Sequence, residues 1–254
     1  MSDAEFKILL LSFFGLGAGI YLFVNGFRWF REKRLIENTP TSKIRSLAMG
    51  LVEVFGEATP KDGRMIKAPF SNKDCLYCKY TIEEYRKSGK SSHWVTLKKA
   101  EDRTHFYLKD ETGSVLINSE GANIDIPLDC EFNSSWGKNP PENIVKFLES
   151  NGMSFEGFLG MNKTMRYREY FIAPGDKVYI MGTADDNPFV HESSSQKSEH
   201  DIMIQKGNSF YYISDKPEKD ILGNYGWKVT GGLFGGSIII IVCLFVIFSI
   251  LNIL

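Results

Sequence analysis

Residues 233–254, LFGGSIIIIVCLFVIFSILNIL, carry no charged side chain and are long enough to cross a hydrocarbon core of about 30 Å as a helix. Residues 8–27 form a second uncharged apolar run. A chain with two such runs is built around them, and whatever lies between is held at both ends. The intervening residues have an ordinary globular composition and suffice for one sizeable β-domain or two small ones.

The flanks of the first run argue against a cleaved secretory signal. Its leading segment, MSDAEFK, is acidic rather than basic, and Arg28-Trp29-Phe30-Arg31 stands where a small-residue cleavage site belongs. The expected division is a transmembrane helix over 8–29, a basic linker over 30–45, a β-rich soluble domain over 46–215, a linker over 216–228 and a second transmembrane helix over 229–254. Lys and Arg are concentrated on the inner flanks. Arg28, Arg31, Lys33, Arg34, Lys43 and Arg45 follow the first run, Lys216, Lys219 and Lys228 precede the second, and only Lys7 lies outside them. The positive-inside rule then predicts an integral, multi-pass protein with its soluble domain in the cytoplasm and both termini outside. Trp29 and Trp227 mark the two borders, where indole favours the headgroup level.

Both runs carry glycines four apart: Gly15 with Gly19, Gly231 with Gly235 and Gly232 with Gly236. Such spacing lets helix backbones approach closely in lipid. Gly19 and Gly235 fall at similar depth, about 15 and 12 Å from the bordering tryptophans. The sequence therefore predicts that the runs pair with each other, or that Gly15, Gly19, Gly231 and Gly235 support a homo-oligomer.

Between the runs the texture is of short alternating segments. Residues 51–57, 75–85, 93–98, 105–108, 114–118, 124–126, 165–172, 177–182, 201–205 and 209–213 read as strands, separated by Gly-bearing turns. One helix interrupts them, capped by Asn139, started by Pro140-Pro141 and ended by Asn151-Gly152, with Ile144, Val145, Phe147 and Leu148 on one apolar face. It is expected to cover an open end or edge of the sheet. Thr39-Pro40 is expected to cap a second, short helix through Leu47. Residues 185–200 read as a polar loop. The fold class is thus a membrane protein with two transmembrane α-helices flanking a mainly-β soluble domain, an antiparallel barrel or sandwich with one covering helix.

The order of several pieces resembles the GIDE family, also called the beside-a-membrane (BAM) domain family. They are Thr39-Pro40-Thr41-Ser42-Lys43-Ile44-Arg45-Ser46 with Gly50-Leu51-Val52-Glu53-Val54-Phe55-Gly56-Glu57-Ala58, Ala68-Pro69-Phe70-Ser71 with Cys75-Leu76-Tyr77-Cys78-Lys79-Tyr80, Phe106-Tyr107-Leu108-Lys109-Asp110 with Thr112-Gly113, and Arg168-Glu169-Tyr170 with Pro174-Gly175-Asp176-Lys177-Val178-Tyr179. Ile213-Ser214-Asp215 precedes the second run. The family includes a mitochondrial membrane-anchored E3 ubiquitin and SUMO ligase. In the ligases a RING finger, whose two zinc ions take about eight Cys and His ligands, follows the second span. Outside the apolar runs this sequence holds three cysteines and four histidines. A RING of its own is therefore not expected. The resemblance further implies that prokaryotic relatives lie near LemA-type membrane proteins, which points to such a protein as a partner.

The remaining motifs suggest little chemistry. Cys75-x-x-Cys78 sits in a strand-like run, where residues three apart point to opposite faces, and no second CxxC completes a zinc site. With no helix start after Cys75, a thioredoxin-type redox pair is not expected either. His93, His105, His191 and His200 are read as lying on two strands and a loop, with no i, i+4 pair. Asp185-Asp186 with Glu192, Glu199 and Asp201 fits no EF-hand spacing. Asn133-Ser134-Ser135 and Asn162-Lys163-Thr164 match the glycosylation sequon and matter only for a domain outside the cytoplasm. Formal net charge is −1, so no basic surface argues for nucleic acid. No catalytic, cofactor or metal residue is expected. The functional expectation is a protein-interaction module held at the membrane surface, with two alternatives. One is an E3 ubiquitin transferase whose zinc domain comes from a partner; the other is a structural role in membrane organisation.

Overall fold

The computed structural model describes residues 3–157, 160–189, 201–208 and 210–251. They form two compact units: Thr41–Lys216, and the two terminal segments Met1–Pro40 and Pro217–Leu254.

The first unit is mainly β and contains a closed five-stranded barrel. Strands β1 (Gly50–Pro60), β6 (Phe106–Lys109), β7 (Ser114–Ile117), β12 (Ile202–Gln205) and β11 (Lys177–Asp186) pair in that order, and β11 pairs again with β1. β1 is long enough to serve both neighbours. Gly50 to Glu57 pair with Ala184 to Lys177 of β11, and Glu57 to Pro60 pair with Lys109 to Phe106 of β6. Alternate residues point inward, as the period of two requires. Val54 and Ala58, Phe106 and Leu108, Val115 and Ile117, Val178 and Ile180, and Ile204 are wholly buried in one core. Each large aliphatic there contributes about 1.5–3 kcal/mol of apolar burial. Beyond β11 the sheet continues through β13 (Tyr212–Ser214) to β8 (Asn123–Asp125), its last strand.

The antiparallel expectation needs one correction. The β7–β12 and β8–β13 ladders are parallel. Each joins strands more than eighty residues apart in sequence, and only a long connection permits parallel pairing.

That second sheet has the order β5 (Ser91–Arg103), β4 (Tyr77–Ser88), β10 (Met165–Ile172), β9 (Cys130–Ser134). Helix α2 (Glu142–Ser150) lies on one face of it. Ile144 and Leu148 pack with Tyr80 and Ile82 of β4, Met165 and Tyr167 of β10, and Phe70. Phe70 makes edge-to-face contacts with Tyr80, Phe147 and Tyr167 at centroid distances of 5.5, 5.5 and 5.7 Å. The helix therefore covers a sheet face and not an end or edge, because β4 and β10 present an aromatic surface too large to leave in water. Its cap also differs from expectation. Pro141 is the N-cap residue, its carbonyl accepting from Ile144 and Val145, while the Asn139 amide oxygen accepts from Asn162 at 2.7 Å. Thr39 caps nothing: its hydroxyl donates back to the Leu35 carbonyl, and the expected short helix is a single 3-10 turn, Ile44–Ser46. The short strands β2 (Ile66–Lys67) and β3 (Asp74–Cys75) pair beside this sheet. Most of the predicted 185–200 loop lies outside the described residues; Asp185 and Asp186 end β11.

In the second unit, α1 (Asp3–Asn38) and α3 (Glu218–Ile250) are both long and apolar enough to cross a membrane. α3 includes a π-helical turn at Gly231–Gly235. The helices run antiparallel in close contact. A Cβ on Gly26 would stand 2.8 Å from the Leu233 nitrogen, one on Gly232 2.7 Å from the Gly26 Cα, and one on Gly236 2.9 Å from the Gly19 carbonyl oxygen. Gly15 faces Cys243. Gly231 and Gly235, expected in the contact, instead face open space; their partners one position on, Gly232 and Gly236, take the role. Phe13, Phe14, Tyr21, Phe234, Ile241 and Phe245 point outward, as lipid-facing side chains would. Leucine at Gly26 or Gly232 should separate the helices and cost about 1–3 kcal/mol, whereas leucine at Gly231 should be neutral. Cysteines at 19 and 236 should crosslink in membranes where cysteines at 19 and 235 do not.

Candidate binding cleft

Because β4 alternates, the residues interleaved with Tyr80 and Ile82 point away from α2. Lys79, Thr81 and Glu83 of β4, Lys99 of β5, and Arg168 and Tyr170 of β10 line one wall of a cleft of about 330 Å³. The opposite wall is Ile124, Asp125 and Ile126, from β8 and the residue after it. β8 is paired with β13 on one side only, so the backbone of Ile124 directs its N–H and C=O toward the unpaired side.

The cleft's carboxylates are engaged. Glu83 bonds Arg166 at 2.8 Å and lies 3.6 Å from Arg168. Arg168 is held mainly by Glu131, at 2.8 Å. Hydrogen bonds from Arg168 and Asn133 hold the Glu131 carboxyl below the usual carboxylate range. Burial opposes the charge on Arg168, but the Glu131 hydrogen bond and charge outweigh it and raise its pKa. Asp125 accepts from the Tyr212 hydroxyl and from Lys216, both at 2.8 Å. The lysines are less committed. Lys79 lies over the Tyr170 ring at 5.6 Å, and among the described residues no carboxylate lies within 4 Å of the Lys79 or Lys99 amine. The cleft thus offers a strand edge along one wall and two available ammonium groups along the other.

Two buried carboxylates tie separate segments of the domain together. Glu169, wholly buried on β10, accepts the backbone N–H groups of Phe70 and Ser71, the latter at 3.0 Å. Glu53 of β1 accepts the hydroxyls of Thr41 and Tyr179, each at 2.6 Å. Sequence reading passed over both, since a Glu between strand residues resembles a solvent-facing position.

The sequence-flagged residues fall elsewhere. Cys75 and Cys78 were expected on opposite faces; both are buried in one cluster with Phe171, and Cys130 packs against it. The break at Leu76 between β3 and β4 resets the alternation. A hydrogen bond with Cys75, together with burial, pushes the Cys78 thiol far above its ordinary pKa, which makes it a poor nucleophile. His93 is exposed on β5, and His105 lies just before β6 rather than on a strand, its ring 5.2 Å from Phe189. Burial and the nearby Lys61 lower the His105 pKa. His191, His200, Glu192 and Glu199 lie outside the described residues. Among the described residues no group of three or more His, Cys, Asp or Glu is placed to hold a metal.

A model of the GIDE family, described as E3 Ubiquitin ligase, matches residues 78–247, more than half of the chain. The chain belongs to the GIDE family. No curated protein and no solved structure matches it. The GIDE match starts at Cys78, takes in every residue lining the cleft, and runs into α3.

Proposed function

We propose that this GIDE protein is a membrane-anchored recruiting module, and that its cleft takes an extended segment of a protein partner. The observation that carries the reading is an open strand edge at Ile124 in the same cleft as the ammonium groups of Lys79 and Lys99. A segment lying along β8 would add main-chain hydrogen bonds, and acidic side chains on it would meet the two lysines. Anchorage by α1 and α3, read as membrane spans, confines the domain to the bilayer surface and raises its effective concentration for partners there. On this reading the domain faces the cytoplasm with both termini outside, the flanking Lys and Arg remaining on that side. Its partners are other membrane proteins, LemA-type proteins among them.

Peptide display against the full-length protein in nanodiscs tests the reading. Bound sequences should be extended and carry Asp or Glu at alternate positions. Lys79→Glu with Lys99→Glu should weaken binding about 10- to 100-fold. Enrichment of sequences indifferent to both substitutions would contradict the cleft.

The family description favours a second reading, in which the chain takes part in ubiquitin transfer, with a partner supplying the zinc domain. Purified protein should then show no autoubiquitylation alone and gain it on adding a RING-bearing partner. Activity of the chain alone would require catalysis by its own residues.

A further inference from the structure

We infer that the end of the four-stranded sheet carrying Trp136 docks on an anionic lipid surface. Trp136 is 82 % exposed, as exposed as Trp227, yet it belongs to the β-domain. It is not on a loose loop. Ser135 and Lys138 exchange backbone hydrogen bonds of 3.1 and 2.8 Å, leaving a two-residue turn of Trp136 and Gly137, with Gly137 at φ +72°. The neighbouring hairpin, where Gly157 donates to the Met161 carbonyl, holds Met161 half exposed. Asn162 ties the two turns together through Asn139.

The charge around them is mainly basic. Met165 pairs with Glu84 on one side and Ser134 on the other, so the β4–β5 hairpin tip emerges at the same end of the sheet. Lys87 and Lys90 lie on that tip, Lys138 in the tryptophan turn and Lys163 in the Met161 hairpin. Arg86 is neutralised by Glu84 at 2.7 Å. Among the described residues, the three turns carry these four lysines and one further carboxylate, Glu156. A turn-held indole with lysines on its own and the neighbouring turns suits a bilayer interface. The ring settles at headgroup depth, and the lysines are attracted to an anionic leaflet. An acidic protein surface would satisfy the lysines but leave Trp136 without an apolar receptor of comparable reach. The inference is independent of the cleft, which lies on the sheet face and not at its end.

The test uses single copies of the full-length protein in nanodiscs of about one-third phosphatidylserine, with and without brominated acyl chains. The contribution of Trp136 is the fluorescence difference between wild type and Trp136→Phe, which removes the constant signals of Trp29, Trp94 and Trp227. Bromine should quench that difference by about half or more, and Lys138→Glu with Lys163→Glu should abolish the quenching. Circular dichroism confirms that each variant is folded. A Trp136 signal untouched by bromine at low salt would overturn the proposal. So would quenching that survives the charge reversals, or a signal that shifts only when a second protein is added.

Discussion

Replacing Glu169 with alanine should lower the stability of the β-domain by about 1–4 kcal/mol, because the buried N–H of Phe70 loses its acceptor at about 1–3 kcal/mol and the part-buried N–H of Ser71 loses its own at less. The effect should spread beyond the loop. Phe70 packs against Tyr80, Phe147 and Tyr167, so releasing its backbone loosens α2 from the sheet. Glu169→Gln keeps one oxygen acceptor and puts an amide donor against the second N–H, so it should forfeit a large part of the same free energy. Urea unfolding of the full chain in detergent, followed by near-UV circular dichroism, gives both values. A loss below about 1 kcal/mol for the alanine variant would mean that the carboxylate is not what fixes the Phe70 loop.

Gly56→Val should be comparably damaging, for a steric reason. Gly56 sits where β1 leaves β11 for β6, and a Cβ there would stand 2.5 Å from the Lys109 carbonyl oxygen. That oxygen is backbone and cannot rotate aside, so the substitution must push β6 from β1 and open the barrel. A cost of about 3 kcal/mol, at the upper end of overpacking, is expected. Gly182 gives the contrast. The atoms nearest its missing Cβ belong to the side chains of Tyr211 and Ile204, which can yield in part, so Gly182→Ala should cost less than Gly56→Ala. Amide exchange at Glu57 and Thr59 should rise in Gly56→Val; unchanged protection there would show that the β1–β6 ladder tolerates the side chain.

The alternation of β1, β4, β10 and β11 was legible from residue order alone, because each buries one row of side chains and Gly-bearing turns separate them. β9 was missed. Of Cys130-Glu131-Phe132-Asn133-Ser134 only Phe132 carries a large apolar group, and an edge strand needs no more. Closure of the barrel through β1 and β11 joins residues more than a hundred positions apart and leaves no local trace. The same holds for the cleft, whose two walls come from four separate segments. Glu53 and Glu169 misled in the opposite direction: their residue type suggests water, and only tertiary contacts supply the hydrogen-bond donors that satisfy them in the interior. In the terminal helices the glycine spacing identified the contact, but the choice between Gly235 and Gly236 depends on helix phase through the π turn, which composition does not reveal.

Hydrogen exchange at the N–H groups of Ile124 and Ile126, with and without a display-selected acidic peptide, bears most directly on the central claim. Full-length protein in nanodiscs should show both amides slowed about tenfold or more on peptide binding, with the effect lost in Lys79→Glu, Lys99→Glu. Saturable binding that leaves those two amides exchanging at their free rate would contradict the strand-addition cleft.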